Sequence, residues 1–472
     1  MRKGCGRPCR GPRSRGGCDD GCRFENWHIG RSACASEAGM RINLLTAGTR
    51  GDVQPAIALG LGLKNAGFTV QMVAFEEFRA LTGEHELDFF PLRASVQELA
   101  KSSLVGLAGS GAAVFRAVPE LIKLFRELFL QMTADFWQAS QDADILISNT
   151  ATAMSGAAVA EKLKIHHIQT SVYPDWPTRA FPSIFWPWPA AMQTEEKNLL
   201  AALKGIFNLS TYVPAGWLFS LGLQPVIERC RAEILNLPAR SSRRNRQSAK
   251  PSTPVLAGFS EHVVPRPADW EERIHITGCW FLDHPAYTPP PSLQAFLESG
   301  PPPVYVGFGS MPSQNPEQVA ALVVQALTMA GQRGIILTGK GAMGKGMAQQ
   351  DNNESVYFVD SIPHDWLLPR VAAVVHHGGA GTTAAGIRAG IPGVLIPILG
   401  DQLFWGQRVA DLGIGAGPIP RKKLTAERLA AAVHQAVTDP VMRRRAATLG
   451  EKIRAEDGVG QAVRIICQQV GI

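Results

Sequence analysis

The residues best suited to chemistry lie in the stretch HHGGAGTTAAGIRAGIPGVLIPILGDQ, residues 376–402, where a strand, a glycine-rich turn and a helix start follow in that order. Gly378, Gly379 and Gly381 let main chain approach a ligand closely. Thr382 and Thr383 open a helix whose free N–H groups and positive dipole suit a diphosphate, and His377 can donate a hydrogen bond to the same phosphates. After the next strand, Asp401 and Gln402 offer a carboxylate and an amide, a pair able to grip vicinal hydroxyls of a sugar. Ser310, following VYVGFG, brings a hydroxyl from a third strand end. The same glycines also fit a plain strand-to-helix turn with no ligand.

A second constellation stands near the first strand, in TAGTRGDVQP. Asp52 there is either a catalytic carboxylate facing a cleft or the N-cap of a helix beginning about Pro55. The loop Gly48–Asp52 lacks the GxGxxG spacing of a dinucleotide site, which argues against a nicotinamide oxidoreductase. An acidic pattern, Asp142-Ala143-Asp144, resembles metal-binding sequences but precedes its strand, so it reads as a helix-to-strand turn and no metal is expected.

These residues need two scaffolds to hold them. Ile42–Leu45, a helix, and Thr69–Phe75 make a βαβ start, continued by Ile145–Ser148 and His167–Thr170. Beyond the Pro-rich stretch 285–303 the rhythm restarts with Val304–Phe308, a helix over Pro316–Ala330, then Gly334–Thr338, Val356–Val359, Ala372–His376 and Val394–Ile398. Both halves are therefore expected to be α/β, doubly wound parallel sheets, with a ligand cleft between their strand ends. The expected domains are a leader at 1–39, an acceptor domain at 40–284, a linker at 285–303 and a nucleotide-sugar domain at 304–472, whose last helix packs back on the first domain.

Composition constrains the class further. The 472 residues carry a formal charge of +7, but the segment before Met40 has eight Arg or Lys against four Asp or Glu. The excess thus belongs to a leader and to a second basic knot, Arg240 to Lys250, set among Ser, Asn and Pro as in a solvated loop; no nucleic-acid partner is expected. Five of the eight cysteines also lie in the leader, which reads as a disordered extension or an over-long start ahead of Met40 rather than a zinc module. The cysteine-poor body suggests a reduced, cytoplasmic setting. Residues 114–132 have apolar positions at helical spacing, fitting a packed helix or peripheral contact with a membrane surface. The Pro-rich stretch 174–189 carries Trp176, Phe181, Trp186 and Trp188, an apolar wall for a hydrophobic alcohol or ordinary core.

The segments IPHDWLLPRVAAVVHHGGAGTTAAGIRAGIP and GDQLFW resemble the donor signature of the family 1 glycosyltransferases of GT-B fold, nearest the sterol glucosyltransferase branch. TAGTRGDVQP and PRPADWEERIHITGCWFLD resemble the same branch, so the likeness runs from Met40 to the C-terminus. The resemblance implies an inverting transfer from UDP-glucose to a sterol-like hydroxyl, without a metal cofactor. It assigns Ile362 and His364 to the base and ribose, Ser310, His377, Ala380, Gly381 and Thr382 to the diphosphate, and Asp401 with Gln402 to the glucose. It also makes Asp52 the general base, with Thr49 and Arg50 closing the loop over the donor. Plant members begin the donor box with a Trp that stacks on the base, whereas residues 358–363 contain none. A GT-B sugar epimerase or a non-catalytic relative would keep the donor loop and lose, respectively, the lipid pocket or the base.

Overall fold

The computed structural model describes residues 39–94, 126–186, 199–238, 253–284, 286–308, 316–338, 355–398 and 400–471. The basic leader, the knot 240–250, Ser310 and Trp188 lie outside these, as do residues 114–125 of the amphipathic stretch.

Short unbroken apolar runs form strands buried on both faces, as parallel sheets require. In the first domain these are β1 (Arg41–Leu45), β2 (Thr69–Phe75), β3 (Asp88–Leu92), β4 (Ile145–Asn149), β5 (His166–Ser171), β6 (Val255–Ala257) and β7 (Ile274–Ile276). They hydrogen-bond in the order β3-β2-β1-β4-β5-β6-β7, every pair parallel. The second domain has β8 (Val304–Gly307), β9 (Gly334–Leu337), β10 (Val356–Val359), β11 (Ala373–His376) and β12 (Gly393–Leu395), ordered β10-β9-β8-β11-β12 and again parallel. In each sheet the chain reverses its winding beside the first strand, between β1 and β4 and between β8 and β11. Open α/β sheets bind ligands outside the carboxyl ends of the strands at such a switch point. The loops after β1, β4 and β11 are therefore the places to look.

The domains are also joined by core. The last helix, Gly458–Val470, lays Ala462, Val463, Ile466 and Cys467 into the first-domain core against helix Arg50–Asn65. A second shared cluster sets Phe181, Phe259 and Trp270 of the first domain against Ile387, Leu395, Trp405 and Val409 of the second. Of the amphipathic stretch, residues from 126 onward are helical, and Leu128, Phe129 and Met132 pack in the first core.

Two local expectations are corrected. The helix after β1 begins at Arg50, not near Pro55: Thr49 is its N-cap and Pro55 sits inside it. The proline costs one intrahelical bond to the Gly51 carbonyl, in the second turn. The stretch 285–303 is not simply a linker, because Pro291–Glu298 is a helix that buries Leu293 and Phe296 in the second-domain core. Proline at the first helical position has the helix's own φ and needs no N–H partner, so Pro290 and Pro291 start this helix rather than prevent it.

Candidate functional site

The second-domain half of the cleft is mainly main chain. After β11, Gly378 turns the chain at φ +92°, and Gly379 caps helix Ala380–Ala389 without any side-chain hydrogen bond. The first N–H groups of that helix, including those of Ala380, Gly381 and Thr382, have no intrahelical carbonyl partner and form a site for an anion. The turn is held from behind: the Gly378 N–H donates to Nδ1 of buried His376 at 3.1 Å, and the hydroxyl of buried Thr383 donates to the Gly379 carbonyl at 2.9 Å. Glycine is required at Gly378, where φ is positive; at Gly379 a side chain would have to displace the His377 ring. A Cβ on Gly378 would lie 3.0 Å from the Gln402 carbonyl, and one on Gly379 would lie 2.6 Å from His377 Nε2.

His377 flanks the turn half-buried, and burial lowers its pKa to about 4, so the ring is neutral near pH 7. Neutral imidazole still carries one N–H to donate. His376 is held well below the usual imidazole range by burial and by the neighbouring imidazoles of His377 and His364.

The second loop of this half ends in Asp401, the residue before helix Gln402–Asp411. Its Oδ2 accepts from the Trp405 indole at 2.9 Å. Burial raises the carboxyl to about 6; the Trp405 bond opposes that and the charge of Asp52 adds to it. Gln402 is buried, and its Oε1 accepts the Ile398 N–H at 2.8 Å, so the amide also closes its own loop.

At the far end of the donor half, His364 begins the short helix His364–Leu367, with Nε2 3.3 Å from the Tyr305 hydroxyl. Burial lowers its pKa to about 4, and the Arg50 guanidinium, reaching from the first domain, acts in the same direction. Ile362 is only 7% exposed and packs with Tyr305, Tyr357 and Leu367, so its side chain belongs to core. Trp366 packs edge-on against Tyr287 with Arg370 over its ring, and is thereby engaged away from the role that the resemblance gives to an earlier Trp.

The first-domain half is made of side chains. Asp52 is the third residue of helix Arg50–Asn65, and its Oδ2 accepts from the Thr49 N–H at 2.8 Å and the Thr49 hydroxyl at 3.2 Å. It closes a capping box while Thr49 is the cap. Burial raises its pKa and the two Thr49 bonds pull it back. Asp52 also lines a recess with Asn149, Thr150, Thr170, Tyr173 and Trp280, at the carboxyl ends of β1, β4 and β5. Its charge helps to raise the Asp401 carboxyl, so the two carboxylates lie within electrostatic reach of one another.

Sequence reasoning missed two neighbours. The Tyr173 phenol is raised by burial and then by the charges of Asp52, Asp175 and Asp401, which puts it where both domains meet. Asp175 has a buried Oδ1 without a hydrogen-bond partner, and burial pushes its carboxyl up to about 7. A carboxylate two residues past Tyr173, shortly after the end of β5, was the available signal in PDWPT.

Of the three aromatic candidates for an acceptor wall, none lines this recess. Trp176 and Phe181 meet Trp270 edge-on at 5.4 and 6.2 Å, and Phe181 also meets Phe404 of the second domain at 5.3 Å. These rings are 9% and 0% exposed, so the Pro-rich loop folds them inward as core. Trp186 is half-buried beside Phe207, toward the surface. The acidic pair Asp142 and Asp144 sits at the amino end of β4, where Asp144 accepts the Arg41 N–H at 2.7 Å and Asp142 pairs with the Arg41 guanidinium at 3.3 Å. Among the described residues no three His, Cys, Asp or Glu side chains converge on a metal position.

Two parallel sheets, each with a switch point at its carboxyl edge, and an uncapped helix start at the second give this chain the GT-B fold of solved glycosyltransferase structures. It matches the glycosyltransferase family 28 N-terminal domain over residues 42–182 and the erythromycin biosynthesis protein CIII-like C-terminal domain over residues 333–466. The sterol 3-beta-glucosyltransferase of Cryptococcus neoformans var. neoformans is 34% identical over 448 residues, covering 90% of this chain and 27% of that protein. Sterol 3-beta-glucosyltransferase UGT80A2 of Arabidopsis thaliana is also 34% identical, over 90% of this chain and 65% of its own length. The chain thus spans between about a quarter and two thirds of these relatives. Among solved structures, the glycotransferase of kitacinnamycin superposes with a TM-score of 0.62 at 17% identity, covering 92% of this chain and 100% of that one. Glycosyltransferase VinC in complex with DTDP superposes at 0.60, with 17% identity, covering 91% and 99%.

Proposed function

We propose that this chain transfers glucose from UDP-glucose, with inversion, to the hydroxyl of a hydrophobic alcohol of the sterol class. The observation that carries the reading is the glycine-led, uncapped helix start at the switch point of the second sheet, together with the Asp52 carboxylate lining the recess at the switch point of the first. In this mechanism a free oxygen of Asp52 takes the acceptor's hydroxyl proton as that oxygen attacks the anomeric carbon from the face opposite the diphosphate. The carbon–oxygen bond to UDP breaks, and UDP leaves with the electron pair. The N–H groups from Ala380 to Thr382 and the neutral His377 ring stabilise the leaving charge, so electrostatics replaces a metal ion. Asp401 and Gln402 hold the glucose hydroxyls, His364 and Arg50 stand toward the ribose end, and Thr49 anchors Asp52. Burial that raises Asp52 makes it a stronger base than an exposed aspartate.

The sterol 3-beta-glucosyltransferases at 34% identity support the donor and acceptor class, and the DTDP complex of a structural neighbour supports a nucleoside diphosphate as ligand. The test is to incubate the protein with UDP-glucose and a panel of sterols and other lipid alcohols, reading free UDP and the anomeric configuration of the product. A β-glucoside made equally well with and without EDTA is the expected result. Release of UDP with no glucoside, or a 2-epimerised sugar nucleotide, would replace this reading with a hydrolase or an epimerase.

A further inference from the structure

Between Leu199 and Ile227 the only charged residue is Lys204, and between Trp176 and Trp186 the only one is Arg179. The first of these stretches opens with helix Leu199–Ser210, and the helix is turned the wrong way round for a soluble protein. Its inward positions are Gly205, Asn208 and, just past its end, Thr211, whereas Leu200, Leu203, Ile206, Phe207 and Leu209 point outward at 38–61% exposure. An amphipathic surface helix buries its apolar stripe. Here specific contacts impose the opposite.

Asn208 donates to the Arg179 carbonyl at 2.8 Å, and the Thr211 hydroxyl accepts the Ser183 N–H at 2.8 Å while donating to the Asn208 carbonyl at 2.6 Å. Gly205 lies so close to the same loop that a Cβ there would be 3.2 Å from Arg179 Cβ. Small and polar residues therefore dock the helix and leave its leucines outside. Phe185 on the loop, 59% exposed, and Val213 just beyond the helix, 67% exposed, extend the patch. Contiguous apolar surface of this kind marks a protein or membrane contact.

We infer that the outward face of helix Leu199–Ser210, with Phe185 and Val213, docks this chain on a phospholipid bilayer. The choice of occupant rests on the lipid-alcohol reading above and on two features of the molecule. The loop on which the helix docks starts at Tyr173, which lines the Asp52 recess, so one short segment of chain joins the patch to the acceptor side of the cleft. Among the described residues, exposed Arg179 and Lys204 border the patch as cations complementary to headgroup phosphates, with the Asp269 carboxylate turned to the Arg179 N–H behind them. No helix among the described residues is long and apolar enough to cross a membrane, so the face lies in the interface plane.

Flotation with phosphatidylcholine vesicles tests this on the full chain. Wild-type protein should float, and Leu203→Glu with Ile206→Glu should lower the bound fraction about tenfold. If that pair lowers the melting temperature, Leu203→Gln with Ile206→Gln repeats the test in a folded protein. Both variants should glucosylate a water-soluble alcohol at the wild-type rate without vesicles and lose turnover only of an acceptor embedded in them. Equal flotation of wild type and folded variant overturns the inference. So does a wild type that stays off vesicles and sediments as a dimer which the variant dissociates, because the face then belongs to a second copy. Absence of transfer to any acceptor, with flotation still lost in the variant, defeats the proposed reaction and leaves the docking surface standing.

Discussion

The two walls of the cleft solve their problems with different materials. The second-domain wall receives charge with main chain: a positive-φ glycine, an uncapped helix and neutral imidazoles. The first-domain wall presents buried carboxyls, Asp52 and Asp175, whose pKa values burial raises, around the phenol of Tyr173. Main-chain N–H groups cannot titrate and cannot be mutated away, which suits a ligand part common to all turnovers. Side chains can be tuned and exchanged, which suits proton transfer and the recognition of a particular alcohol. The difference predicts that substitutions on the first wall change chemistry, and that substitutions on the second change donor affinity.

The largest effect should come from Asp52→Asn. The amide oxygen can still accept from Thr49, so the capping box and the melting temperature should hold while kcat falls by about 10²–10⁴. A fall in stability with kcat preserved would reduce Asp52 to a cap and erase the contrast. Next, Phe181→Ala removes a fully buried ring from the cluster shared by both domains and should cost ~3–5 kcal/mol in denaturant unfolding. Because Phe181 does not line the recess, the acceptor KM of the protein that remains folded should be unchanged; a selective rise in KM would restore it as an acceptor wall. Gly378→Ala forces a side chain into positive φ and against the Gln402 carbonyl, a strain of ~1–2 kcal/mol. UDP affinity by calorimetry should drop about tenfold, with the pH dependence of kcat untouched.

The last effect is read in thermal unfolding rather than in turnover. Asp175 titrates near 7 folded against 3.8 in the reference state, so the unfolded chain loses its proton first as pH rises. Native stability therefore falls between about pH 4 and 7, and the penalty is complete above 7. Asp175→Asn should raise the melting temperature by several degrees at pH 8 and leave it unchanged at pH 3. An equal shift at both values would show that Asp175 is already paired.

Much of the second wall was legible before any coordinates. HHGGAGTT spells its own geometry, because a left-handed turn needs glycine and a helix start leaves N–H groups free whatever surrounds it. The first wall was less so. Asp52 stood out, but its place as third residue rather than cap depended on Thr49, three positions upstream. Tyr173 and Asp175 follow β5 in sequence and gain meaning only when β1, β4 and β5 lie side by side. Trp176 and Phe181 fitted either an acceptor wall or core, and they pack as core, since aromatic composition does not say which side of a loop meets Trp270.

The amino-acid sequence alone determined the apolar strands, the two βα halves and the phosphate turn, because each depends on residues within a few positions of one another. Tertiary structure decided which carboxyls are buried, which rings face inward, that Pro291–Glu298 is a helix in a core, and that helix Leu199–Ser210 turns its leucines outward. Those outcomes hang on contacts between segments far apart in the chain, such as Phe181 with Phe404 and Asn208 with Arg179, and on the water that such contacts exclude.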